Sequence, residues 1–186
     1  MNTSSSIPAE VRATWQVPTF EVPLWLSRQH AWCVVIPVIN EGARIKNLLA
    51  KMVAFDTAAI ADIIIVDGGS TDGSLELRAL QPIGVRGLLV KTGPGKLSAQ
   101  LRCAYAFAMD QGYRGVITID GNDKDDPGAI PDFVKALESG VDFSQASRFI
   151  TGGIAENTPK LRDIAIRWMH APLLSLFSGF TWTDTT

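Results

Sequence analysis

Residues 116–127 read VITIDGNDKDDP, an apolar β-like run that empties into four carboxylates, Asp120, Asp123, Asp125 and Asp126, relieved by Lys124. Two like charges ~4 Å apart repel by about 4 kcal/mol at an effective dielectric of ~20. Acids gathered at the end of a buried strand therefore suggest a divalent-cation site, with a solvated acidic turn as the alternative. Asp126-Pro127 has the form of a helix cap followed by proline at the first helical position, which sets Asp126 apart as a cap. Two more polar loops follow apolar runs. Asn40-Glu41 comes after CVVIP, and DGGSTD, residues 67–72, comes after DIIIV.

The elements that must position these loops are legible as alternating patterns. Residues 1–31 carry three prolines and scattered aromatics, and are expected to form an irregular arm with aromatic anchors. A strand is predicted over 33–37, stopped by Pro37. A helix capped by Asn40 follows, with Ile45, Leu48, Leu49, Met52 and Val53 as its apolar stripe. Strand 62–66 opens into the glycine loop, where Ser70 or Thr71 can start a short helix, and strand 87–91 precedes Gly93-Pro94-Gly95. The next helix places Leu97, Leu101, Ala104, Tyr105 and Ala108 on one face and ends at Gly112. Strand 115–119 delivers the acids, and the helix behind Asp126 buries Ile130, Phe133, Val134 and Leu137. A further strand is expected over 141–149, a loose loop over 151–159, and an amphipathic helix over 160–178, with Leu161, Ile164, Ala165 and Trp168 on one side and a break near Pro172.

Strand and helix alternation predicts an α/β fold with a mostly parallel sheet and helices on both faces. Ligands of such sheets sit beyond the carboxyl ends of the strands, where all three polar loops emerge. A shared edge favours the cation-site reading of the acids over the solvated turn.

The chain has 186 residues, 46% of them hydrophobic, enough for one sizeable core. A net charge of -2 argues against a dedicated nucleic-acid binder. Cys33 and Cys103 lie in apolar runs without metal-ligand spacing, as small buried hydrophobes of a reducing compartment do. No apolar run approaches the ~20 residues that span a bilayer, and the N-terminus lacks the order of a signal peptide. A cytoplasmic location is expected. Gly95-Lys96 is not a Walker loop, because Val90 and Leu97 stand where that motif needs glycine and a hydroxyl. No G-x-G-x-x-G or G-x-S-x-G occurs, and His30 and His170 have no ligand-like neighbours.

With these residues in place, the chain resembles the family 2 glycosyltransferases of GT-A fold, within them the dolichol-phosphate-mannose-synthase-like branch that loads sugars onto polyprenyl phosphates. VVIPVINE is similar to that family's IPxxNE, IIIVDGGSTDGS to its VDDGSxDxS, and GPGKLSAQLRCAYAFA to its glycine-rich loop and helix. ITIDGNDKDDP stands at its DxD loop and QASRF at its GSRF. The five motifs run in register from about residue 34 to the end. The GT-A domain implied is 32–186.

The resemblance implies a nucleotide-sugar site drawn from each motif: Pro37, Asn40 and Glu41 from the first, Asp67, Gly69 and Ser70 from the second, Lys96 and Arg102 from the third. Asp120, Gly121 and Arg148 complete it, and Arg162 and Arg167 would suit phosphate. It implies Mg²⁺ or Mn²⁺ on Asp120, Asn122 and Asp123, with Asp125 an alternative ligand. Asp120 and Asp184 are the catalytic candidates, Asp184 as base for a hydroxyl acceptor. The sequence departs from the family at Gly68, Asn122 and Lys124, where the family has Asp, Asp and often Gln. The GFR-like segment expected after Asp184 is missing, and relatives continue with membrane-facing elements, so the chain is expected to be part of a longer protein. The activity implied is metal-dependent, inverting sugar transfer from a UDP- or GDP-linked donor to an acceptor such as a polyprenyl phosphate, in the cytoplasm or peripheral at the inner face of the membrane. A nucleotidyltransferase and a non-catalytic sugar-nucleotide-binding module are the rivals. Base, sugar, acceptor and oligomeric state stay open.

Overall fold

A computed structural model describes residues 9–150, 153 and 160–184, which fall into two units, Met1–Val141 and Asp142–Thr186. The first unit is built on five strands: β1 (Phe20–Trp25), β2 (Trp32–Val38), β3 (Asp62–Asp67), β4 (Val85–Lys91) and β5 (Gly115–Thr118). Their spatial order is β1-β4-β3-β2-β5. β2, β3, β4 and β5 run parallel, and β1 pairs antiparallel with β4 at one edge. Helices α1 (Ala9–Ala13), α2 (Ala43–Ala54), α3 (Leu77–Leu80), α4 (Leu97–Asp110) and α5 (Ile130–Glu138) complete this unit.

β2 and β3 are apolar along nearly their whole length because both faces are covered, as parallel strands require. Val34, Ile36, Ile63 and Ile65 meet α2 and α5 through Ile45, Leu48, Met52, Ile130 and Val134. Cys33, Val35, Ile64 and Val66 meet α4 through Cys103, Ala104, Phe107 and Ala108. Each fully buried Ile, Leu or Met contributes about 1.5–3 kcal/mol of burial. Both cysteines are buried and unpaired, and burial pushes the Cys33 thiol up to about 12, consistent with inert core residues.

Several expectations are corrected. β2 does not stop at Pro37 but runs to Val38 in register with β3. The Pro37 nitrogen faces β5 beyond Val35↔Thr118, the last registered pair on that side, so no ladder bond is lost. The first 31 residues are not wholly irregular, since β1 lies within them. Pro23 is tolerated there at an edge-strand irregularity between Glu21 and Leu24. The aromatic anchors do hold: Phe20 and Trp25 pack edge-to-face on Phe107 of α4. The α2 stripe forms as read, except that Val53 is exposed.

α4 is rotated relative to the predicted face. Ala99, Gln100, Cys103, Ala104, Phe107 and Ala108 are buried, while Leu97 and Tyr105 are exposed. Small residues let the helix lie close on β2 and β3, and Tyr105 reaches Thr118 Oγ1 at 3.0 Å instead. Asn40 and Ser70 do not cap helices. The residue before α2 is Gly42, without a side-chain cap, and the helix after the glycine loop starts behind Glu76. Asp126 does cap: its Oδ1 accepts from Gly128 N at 2.8 Å.

No strand forms over 141–149. Val141 and Phe143 are exposed, and backbone N–H groups there turn to side chains, Arg148 N to Asp184 and Phe149 N to Ser147. The helix predicted over 160–178 consists of α6 (Lys160–Ala165), one π-turn (Ile166–His170) and α7 (Ala171–Ser178), so the break near Pro172 is a π-turn. Ile166 and Ala171, five residues apart, are buried, whereas Leu161, Ile164 and Trp168 are exposed. An i→i+5 turn shifts the buried side away from the 3.6-residue stripe. The 151–159 loop, apart from Gly153, lies outside the described residues, as does the Arg162 side chain. Among the described residues no helix is long and apolar enough to cross a membrane.

Candidate functional site

Parallel pairing brings the ends of β3 and β5 to the two sides of β2. Val38 is in register with Asp67, and Gly68 N donates to Val38 O at 2.8 Å. On the other side Ile119 N donates to Val35 O at 3.1 Å and Gly121 N to Pro37 O at 3.3 Å. Asp67 and Asp120 therefore leave the sheet at one rim, flanking the end of β2. Gly121 is required there, because a Cβ would sit 2.9 Å from Pro37 O and 3.0 Å from Val38 Cγ2.

The glycine loop is built by its own acids. Asp67 is buried, and its Oδ1 accepts from Gly69 N at 3.1 Å, Ser70 N at 2.8 Å and Ser70 Oγ at 2.6 Å. Its Oδ2 has no hydrogen-bond partner among the described residues. Asn40, with φ 52°, accepts from Thr71 N at 2.8 Å and donates its backbone N–H to Ser70 Oγ at 3.0 Å. Asp72 takes Gly42 N at 2.8 Å and both Ser74 donors, and these bonds hold its carboxyl below the ordinary range, the Ser74 hydroxyl being the largest cause. The Asn40-Glu41 and 67–72 loops are thus stapled together.

The acid loop is arranged differently from the predicted ligand set. Asp120 is exposed, and its N–H donates to Asp125 Oδ2 at 3.3 Å. Partial desolvation first, then Asp125 and Glu41, raise its carboxyl above the ordinary range, with Lys124 and Asn122 opposing. Asn122 spans Asp120 Oδ2 at 3.5 Å and Lys124 N at 3.1 Å. Asp123, with φ 60°, turns to Lys51 of α2 in a 2.8 Å ion pair. Asp123 is thus engaged by Lys51, while Asp120 and Asn122 stay within 3.5 Å of each other. Among the described residues no three Asp, Glu, His or Cys side chains are gathered to hold a metal ion. An ion held by one or two carboxylates, that of Asp120 among them, would need substrate phosphates and water to complete its shell.

The remaining candidates separate. Glu41 pairs with Arg44 at 3.0 Å and still bears on Asp120. Lys96 is exposed directly before α4. Arg102 donates to Gln16 O at 3.0 Å, toward the N-terminal arm. In the second unit Arg148 binds Asp184, and its guanidinium and that of Arg167 lie over the Phe149 ring, at 5.5 Å and 4.4 Å. Sequence reasoning missed Lys51 and Gln100. Gln100 had a signal, a polar residue at 100 in the stripe 100, 103, 104, 107.

Comparison with known proteins places this geometry in context. Residues 33–181 match the model of the family described as glycosyl transferase family 2. The polyprenol monophosphomannose synthase of Mycolicibacterium smegmatis is 25% identical over 130 residues, 68% of this chain and 48% of that protein. The undecaprenyl-phosphate 4-deoxy-4-formamido-L-arabinose transferase of Aeromonas hydrophila is 33% identical over 115 residues, 59% of this chain and 34% of that one. The chain spans less than half the length of these curated relatives. A solved structure of glucosyl-3-phosphoglycerate synthase from Mycobacterium tuberculosis, in complex with Mn²⁺, UDP and glucosyl-3-phosphoglycerate, covers 96% of this chain and 57% of its own at TM-score 0.47 and 20% identity.

Proposed function

The chain belongs to glycosyl transferase family 2, and on that premise we propose that it carries the donor half of a sugar transferase, moving a sugar from a nucleoside diphosphate to a polyprenyl phosphate at the cytoplasmic face of a membrane. The observation that carries the reading is the shared rim: Asp67 and Asp120 flank the end of β2, with Lys96 and the stapled glycine loop as further polar groups of this unit. The names of the relatives, each a sugar transfer to a polyprenyl phosphate, support the acceptor class.

In the transfer an acceptor oxygen attacks the anomeric carbon from the face opposite the leaving group. The carbon–oxygen bond to the diphosphate breaks, and its electron pair leaves on the nucleoside diphosphate. Mg²⁺ or Mn²⁺ bound through Asp120 would neutralise charge on that leaving group. Asp67 Oδ2 offers an acceptor to the nucleoside, while Oδ1 keeps the loop in shape. A phosphate monoester acceptor has a second pKa near ~6 and is largely ionised at neutral pH, so no general base is required. Asp184 would take that role only for a hydroxyl acceptor.

The test is turnover. The full chain, supplied with UDP- or GDP-sugars, Mn²⁺ and a polyprenyl phosphate, is expected to release nucleoside diphosphate and form a lipid-linked sugar. Release of pyrophosphate from a nucleoside triphosphate would replace this reading with nucleotidyl transfer. Nucleotide binding without turnover would reduce it to a binding module.

A further inference from the structure

Gln100 is buried, with 4% of its surface exposed, on the face of α4 that meets the sheet. Both hydrogens of its carboxamide are used, Nε2 donating to Val38 O at 2.9 Å and to Val66 O at 3.0 Å. These bonds fasten α4 to the ends of β2 and β3, next to the tip from which Asp67 emerges, and they fix the plane of the amide. Its Oε1 is thereby fixed too, and it has no hydrogen-bond partner among the described residues. Asp62 Oδ1, 3.6 Å from Arg86 Nε, is the one fully buried side-chain oxygen among them without a hydrogen-bond partner, so Gln100 Oε1 must open to solvent.

Room for this amide exists because residue 68 is glycine. A Cβ at Gly68 would lie 3.0 Å from Gln100 Cδ and Nε2 and 3.2 Å from Oε1. The polar group at this strand tip therefore comes from α4, and position 68, where the resemblance implies Asp, only makes space for it. The result is an immobilised neutral acceptor at the ends of β2 and β3, held by the backbone oxygens of Val38 and Val66. Immobilised acceptors select ligands that donate, since a mismatched group leaves them desolvated and unpaired.

Building on the nucleotide-sugar reading above, we propose that Gln100 is the base-selecting residue of the donor site, its Oε1 accepting the ring N–H of a uracil or guanine base. Adenine and cytosine carry a bare ring nitrogen in the corresponding place and would set a lone pair against the amide oxygen.

Calorimetry of the full chain with UDP, GDP, ADP, CDP and inorganic pyrophosphate, all with Mn²⁺, tests this. The wild type is expected to prefer UDP or GDP over ADP and CDP, and the two arms identify which. Gln100→Met keeps the volume and removes the polar end. It is expected to weaken the preferred nucleotide about tenfold and leave pyrophosphate, ADP and CDP unchanged. Gly68→Ala leaves Gln100 in place but displaces its amide, and should shift the same ratio in the same direction. It decides the question if the methionine variant does not fold. Retained preference, or equal weakening of all five ligands, overturns the assignment of Gln100 while the donor site stands. A wild type that binds none of the five overturns the donor site itself, and this assignment with it.

Discussion

Arg148 grips Asp184 with three donors: its backbone N–H at 3.2 Å and Nε at 2.9 Å on Oδ2, and Nη2 at 3.0 Å on Oδ1. Asp184 is almost fully buried, whereas the Arg148 side chain keeps some solvent contact. A carboxylate engaged on both oxygens is poorly placed to abstract a proton, as the proposed phosphate acceptor would allow. Asp184→Asn is therefore expected to keep kcat within about tenfold of wild type, where loss of a general base would cost 10²–10⁴-fold. Arg148→Ala removes two of these three donors from a buried carboxylate and should cost about 2 kcal/mol, less than a fully buried pair because Arg148 meets solvent. Urea unfolding and steady-state kinetics of both variants check this, and Arg148→Lys should not restore stability, since an ammonium cannot span both oxygens.

Asp120 carries the opposite electrostatic signature. Its carboxyl is raised, so between the ordinary value and the raised one the folded chain keeps a proton that the unfolded chain has lost. Stability from this group is full below that window and falls as pH rises through it. Asp120→Asn removes the penalty and should melt no lower than wild type near neutral pH without metal. It should also lose the stabilisation that Mn²⁺ with a nucleoside diphosphate gives the wild type. Thermal melts at about pH 5 and about pH 7, with and without Mn²⁺ and nucleotide, read both effects. A variant that Mn²⁺ and nucleotide still stabilise in full removes Asp120 from the site.

Asp72 sits on the other side of the ledger of signs, with a lowered carboxyl. Its contribution is complete above the ordinary carboxylate value and is lost as pH falls through the lowered one. Because its Oδ2 holds Gly42 N at 2.8 Å, the staple between the two loops should loosen in acid. Amide exchange at Gly42, corrected for intrinsic rates, is expected to lose protection on that acid limb. Asp72→Ala should show the unprotected rate at every pH and weaken nucleotide binding severalfold.

Tyr113 isolates stability from chemistry. Its hydroxyl donates at 2.6 Å to Asp62 Oδ2 at the start of β3, the end of the strand away from Asp67. Burial first, then the bond to Asp62, pushes the phenol far above its ordinary value. The unfolded chain ionises near pH ~10 and the folded chain resists, so stability declines as pH rises past that value. Tyr113→Phe should flatten this alkaline limb and cost about 1–3 kcal/mol at neutral pH, because Asp62 loses a donor in a buried place. Nucleotide affinity should not change. Chemical denaturation across the alkaline range and nucleotide titration check the two halves separately.

Much of the scaffold was legible residue by residue. The unbroken apolar runs of β2 and β3, short and followed by polar loop residues, marked strands covered on both faces. The stripe 45, 48, 49, 52 marked α2, and Asp126-Pro127 marked the entry to α5. β1 was hidden because its proline reads as a loop signal until an edge position excuses it. The strand expected over 141–149 does not form: Val141 and Phe143 stay exposed, and Phe149 is covered by the guanidiniums of Arg148 and Arg167 instead of by a neighbouring strand. The face of α4 was misjudged because size, not hydrophobicity, decides which side of that helix lies against β2 and β3.

The sequence by itself determined the α/β alternation and the family motifs, and hence that three polar loops should end at one edge. These are properties of short windows, set by local backbone preference and periodic burial. Only the tertiary structure decided which atoms those loops leave open. It turned Asp123 to Lys51, 72 residues away, spent one oxygen of Asp67 on its own turn, and brought Gln100 to Val38 across 62 residues. Pairings over such distances follow from how helices seat on the sheet, and no local pattern encodes them.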